Sequence, residues 1–214
     1  MLFRLLGAAL SLLLAGPSAP PAGQPARPAI EARLRANTQP STAAEWRTLG
    51  AGVEEALVAL AGDSKVDVQL RGRAVSALGL VSTRPGRAFL EKLVRERAAS
   101  NDAGEKLLLR KAAVALGWLG GTAVPGQLGP LLQHPDPDVR LDAAIGLGLT
   151  RAEEAADLLR ARFDVETVPK VRSQIGRQLA QVEQGVPKKP ASPSPPPPGQ
   201  TGYKPPSQFP SRNE

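Results

Sequence analysis

The chain's single histidine, His134, lies in the turn Gln133-His134-Pro135-Asp136, and no cysteine accompanies it. Without cysteine there is no thiolate nucleophile, no disulfide and no Cys-ligated metal. A metal would need carboxylates alone, and these are spread along the chain as helix caps and solvated faces. Ser64, Ser82 and Ser100 fall near helix ends, where a hydroxyl caps the free amides of a first turn. A histidine alone in a turn lacks a second group to orient it for proton transfer. No glycine-rich loop of the phosphate-binding type occurs. These residues give no catalytic, cofactor-binding or metal site, and the chain is expected not to be an enzyme.

What recurs instead is arginine in a fixed setting. Val139-Arg140-x-x-Ala143-Ala144-x-x-Leu147-Gly148 is matched without gaps by Leu70-Arg71-x-x-Ala74-Val75-x-x-Leu78-Gly79. Val171-Arg172-x-x-Ile175-Gly176-x-x-Leu179-Ala180 follows it with two softer positions, and residues 112–117 repeat its second half, with Arg110 one place late. The closing positions Gly79, Gly117, Gly148 and Ala180 are 38, 31 and 32 residues apart. Self-similarity at such a period is the mark of a solenoid.

The repeated unit reads as a helix with a small-residue face. Asp136 is placed to cap it and Pro137 occupies the first helical position. Between the copies lie other amphipathic stretches at 42–61, 85–99, 124–133 and 152–163. Thr42 with Glu45 has the spacing of a capping box, and Asp102 with Glu105 starts the second inner helix. Each repeat is therefore a helical hairpin. The predicted fold is all-α: a right-handed α-solenoid of about four hairpins, flanked by Pro-rich segments. Trp46 is expected to close one end of the stack, and Trp118, in the slot of Leu80 and Leu149, to lie in the core between repeats.

The phrase His134-Pro135-Asp136-Pro137-Asp138-Val139-Arg140, followed by Ala143-Ala144 and Leu147-Gly148, resembles the short bacterial HEAT-like repeat of the phycobiliprotein-lyase type. The resemblance covers about residues 42–184. It implies that Asp67, Arg71, Asp138, Arg140 and Arg172 form a structural ladder between neighbouring repeats. Physically, an arginine fork can join a carboxylate to the free carbonyls of an adjacent helix end. A row of arginines reading an anionic ligand is the alternative. The resemblance is specific for fold and implies no activity.

Stacked hairpins turn their second helices toward a concave side. Arg73, Asp142 and Gln174 lie two residues past the repeat arginines, Lys111 is the matching position in the second repeat, and Arg177 lies further along the last helix. They point away from the small-residue stripe and are the candidate partner-binding residues. Their mixed charge favours a protein partner over a polyanion. The net charge of +7 supports the same choice, because residues 29–184 hold 21 Lys/Arg against 19 Asp/Glu. Nucleic acid is not an expected partner, since its binders concentrate basic charge on the folded part.

Arg4, the apolar run at 5–15 and the small residues beyond it have the form of a secretory signal peptide. The run is shorter than the roughly 20 residues of a membrane span. The expected organisation is a signal peptide at 1–22 with cleavage between 16 and 26, and a Pro/Ala-rich linker at 23–40. The repeat domain follows at 41–184, then a Pro-rich basic tail at 185–214. The chain is expected to be exported to the periplasm or beyond as a non-enzymatic scaffold for protein partners. The alternatives are an accessory or chaperone-like subunit of an envelope enzyme complex, or a membrane-tethered adaptor with an uncleaved N-terminal helix.

Overall fold

The computed structural model describes residues 27–36 and 42–185; the expected signal peptide at 1–22 and the expected tail from 186 onward lie outside them. The described residues form helices only: α1 (Arg27–Arg35), α2 (Ala43–Arg47), α3 (Val53–Gly62), α4 (Val68–Val81), α5 (Arg84–Arg97), α6 (Ala103–Leu119), α7 (Val124–Leu128), a 3-10 turn (Gly129–Gln133), α8 (Pro137–Thr150), α9 (Glu153–Val165) and α10 (Pro169–Gly185). The pairs α3/α4, α5/α6, α7 with the 3-10 turn/α8, and α9/α10 are hairpins. Within each pair the helices pack together, and the second members stack in the order α4, α6, α8, α10. The architecture is the all-α solenoid expected from the repeat.

The starts of these helices follow the local chemistry. Asp67 accepts from the amides of Gln69 and Leu70, Asp102 from Glu105, and Asp136 from Asp138. Thr42 and Glu45 complete a reciprocal capping box. At α5 the cap comes from the preceding hairpin: the Glu54 carboxylate accepts from the Thr83 amide and hydroxyl and from the Gly86 amide. A carboxylate at a helix N-terminus satisfies free amides and opposes the helix dipole together.

Two stretches depart from expectation. The amphipathic run at 42–61 is broken after α2, where Gly50 and Gly52 take φ values of 108° and 83° and Gly52 becomes the cap of α3. Glycine adopts that backbone region without steric cost. Residues 27–35, assigned to the linker by composition, form α1 instead. Ile30 and Leu34 have 0 % exposure in the common core, and Arg27 pairs with Asp63 at 2.8 Å. Arg73 donates to the Leu34 carbonyl at 2.8 Å and fastens the other end of α1.

The inner helices touch at backbone level. A Cβ built on Gly79 would lie 2.9 Å from the Ala115 Cα, one on Gly117 2.6 Å from the Gly146 Cα, and one on Gly148 2.8 Å from the Gln178 Cβ. The recurring glycines are therefore packing positions, not helix ends. Gly117→Ala should destabilise by about 1–3 kcal/mol through overpacking, although alanine is the better helix former by about 1 kcal/mol. Gly126, exposed on α7 with nothing within 4 Å of a built Cβ, is the control: Gly126→Ala should stabilise by up to about 1 kcal/mol. Urea denaturation of both variants checks the sign reversal.

Candidate interaction surface

Charged residues on the inner helices fall into two groups, those locked into the stack and those left on its face. Arg140 is locked. Its guanidinium donates from Nε and Nη2 to both oxygens of Glu166 at 2.8 and 2.9 Å, and from Nη1 to the carbonyls of His134 and Pro135 at 2.9 and 3.0 Å. Glu166 lies in the turn between α9 and α10, so this fork joins one hairpin to the next. Its side chain has 0 % exposure and also accepts from Arg162 and from the Val168 amide. Donation from Arg140, aided by the Val168 amide and Arg162, outweighs the opposing effect of burial and holds the Glu166 carboxyl at about 2, against an ordinary 4.5. His134 is buried in the same turn, where its Nδ1 accepts from the Asp136 amide at 3.0 Å.

A second ionic layer joins α6 to α8. Arg110 donates to Asp142 at 2.8 Å and Asp138 at 3.2 Å, and Lys106 reaches Asp136 at 2.7 Å. Donation from Lys106 is the main cause of the lowered Asp136 pKa. Lys170 approaches Asp138 from α10 at 3.5 Å. The remaining residues named for a ladder are placed elsewhere. Asp67 caps α4 and does not pair with Arg71. Arg71 donates from Nε to the Ala61 carbonyl at the end of α3, at 3.1 Å, within its own hairpin. Arg172 is exposed and sits over the Phe163 ring, 4.8 Å from its centroid.

The candidate contact residues divide in the same way. Asp142 is taken up by Arg110, leaving its side chain 13 % exposed. Gln174 and Arg177 bond to each other on α10, with Arg177 also on Ser173. Arg73 and Lys111 are exposed, and neither has an acidic partner among the described residues. They line two adjoining hollows of about 240 and 110 Å³ that share Ser76 and Lys111. Every lining residue comes from α4, α6 or α8. Gly72, Ser76 and Ala115 are its small residues; Leu107, Lys111 and Trp118 are its bulky ones.

Trp118 is 61 % exposed, which corrects its assignment to the core. The buried stripe of α6 runs through Leu108, Leu109, Ala112, Ala115 and Leu116. Trp118 instead continues the line of Lys111 and Val114, at helical spacings of three and four. That spacing was readable in the sequence; the glycine alignment that paired Trp118 with Leu80 and Leu149 obscured it. Lys106 carries no repeat signal, Arg110 stands one place out of register, and Glu166 is an acidic position offset from the repeat.

Residues 98–180 match the family model for HEAT repeats. That segment carries HEAT repeats. No curated protein matches it. Among solved structures it is similar to the complex of CpcE and CpcF of phycocyanin lyase from Nostoc sp. PCC7120. The identity is 17%, the match covers 71% of this chain and 96% of that one, and the TM-score is 0.47. That neighbour corrects the expectation of a non-enzymatic chain, because it is a lyase built on the same kind of fold. The likeness itself assigns no activity here.

The Glu166 pKa fixes a pH dependence. Its folded value lies below the unfolded one, so its contribution is present above about pH 4.5 and fades as pH falls toward 2. The contribution is at most about 3 kcal/mol. Glu166→Gln should be less stable near neutral pH and lose less stability on acidification than the parent. Urea midpoints at about pH 7 and about pH 3 test this; parallel losses in both proteins would contradict it.

Proposed function

We propose that this chain is an exported scaffold that holds a protein partner on the face of α4, α6 and α8. HEAT repeats support the scaffold part, since stacked hairpins offer an extended surface that neighbouring repeats hold rigid. The observation that carries the choice of face is Trp118. A large aromatic, 61 % exposed beside a hollow on close-packed helices, has the makings of a binding anchor. The outer helices offer a different surface. On α5, Lys92 and Glu96 form an exposed ion pair, which suits a solvated side.

Export rests on the positive start, the apolar run at 5–15 and the small residues after it. Cleavage after Ala22 or Ala26 would spare α1, whose Ile30 and Leu34 belong to the core. N-terminal sequencing of the protein from the envelope fraction should give a start between residues 17 and 27. Recovery of the chain with residues 1–15 intact would favour the membrane-tethered adaptor.

A photo-cross-linking amino acid placed at Ser76, Val114 or Trp118 should give adducts with one and the same protein. At Lys92 or Asp157, on the outer helices, it should give none with that protein. Equal adducts from both sets would overturn the choice of face.

A further inference from the structure

The hollows between α4, α6 and α8 hold two cations with no acidic partner among the described residues. Of the cations on α6, Lys106 and Arg110 are spent on Asp136, Asp138 and Asp142. Asp142 is the acidic residue lining the hollows, and Arg110 neutralises it. Lys111 is left without an acidic partner, as is Arg73 on the facing helix, whose one bond is to the Leu34 carbonyl. Both remain exposed beside small residues, with Leu107, Val114 and Trp118 supplying apolar walls.

We propose that the groove running from Arg73 through Lys111 to Trp118 takes an extended acidic segment of a partner protein, with one bulky apolar side chain set against Trp118. This deepens the scaffold reading above and rests on it. Charge complementarity selects this occupant. The chain's own tail carries Lys188, Lys189, Lys204 and Arg212 against Glu214, so its net positive charge does not complement Arg73 and Lys111. Nucleic acid needs a run of neutralising cations to gain affinity, and the basic residues lining this groove are two, Arg73 and Lys111. An acidic peptide needs only a few well-placed cations and an aromatic anchor, with the small exposed Ser76 letting its backbone approach. The cations would set its rate of capture and its salt dependence, and Trp118 its residence time.

The test pans a phage-displayed library of random twelve-residue peptides against the full chain. Enriched peptides should be net acidic and carry a bulky apolar residue. Each should lose roughly ten-fold or more in affinity on both Lys111→Glu and Trp118→Ala. Lys92→Glu, on the exposed side of α5, should leave affinity unchanged. Circular dichroism confirms that the variants fold, as expected for exposed positions. Enrichment of neutral or basic peptides that still depend on Trp118 would overturn the acidic class and leave the scaffold face standing. Peptides indifferent to both groove variants, no enrichment at all, or tighter binding of a single-stranded oligonucleotide than of any enriched peptide would overturn the proposal.

Discussion

The backbones of α6 and α8 meet at Gly117 and Gly146, and the rest of the stack is arranged around that approach. A Cβ on Gly146 would lie 2.5 Å from the Ala113 carbonyl oxygen, so neither helix has room for a side chain at the crossing. Gly79 against Ala115 and Gly148 against Gln178 extend the same close spacing to α4 and α10. Glycines in a helix lower its intrinsic stability. Here they allow contact over a long surface, and the larger apolar residues are free to bind the outer helices. Leu108, Leu116, Leu128 and Leu159 all have 0 % exposure in the shared core.

Close approach also dictates where charge can go. Side chains flanking the crossing are brought within reach of the next helix, which is why Arg110 can hold both Asp138 and Asp142. The deepest of these contacts, Arg140 with Glu166, has every group matched: two carboxylate oxygens and two carbonyls for one guanidinium. Buried ion pairs repay their desolvation only when so completed. The effect on the surface is indirect. Most cations of α6 are consumed by the joints, and Lys111 is left on the face of α4 and α6 beside Arg73. The features that build the stack therefore also define its face.

The sequence showed the hairpins plainly, because the 31- and 32-residue spacings and the Asp136-Pro137 start are local signals. It did not show α1. Its prolines at 25 and 28 read as linker, and only tertiary contact reveals that Ile30 and Leu34 cover the end of α3 and α4. The break at Gly50 and Gly52 was visible as a glycine pair but was overridden by an apolar period that ran through it. On the surface, Arg73 and Lys111 were legible as outward positions. The partners of Arg140 were not, since Glu166 is 26 residues away in an irregular turn. Alignment to the neighbouring repeats places Trp118 in the core, whereas its helical spacing from Lys111 places it on the face.

The central claim is that α6 and α8 behave as one unit because their backbones are in contact. Native-state hydrogen exchange on the parent and on Gly146→Ala tests it most directly. With the backbones in contact, the slowest amides of α6 and α8 should share one opening free energy in the parent, and the substitution on α8 should lower both helices by the same amount. Loss of protection confined to α8, with α6 unchanged, would contradict it.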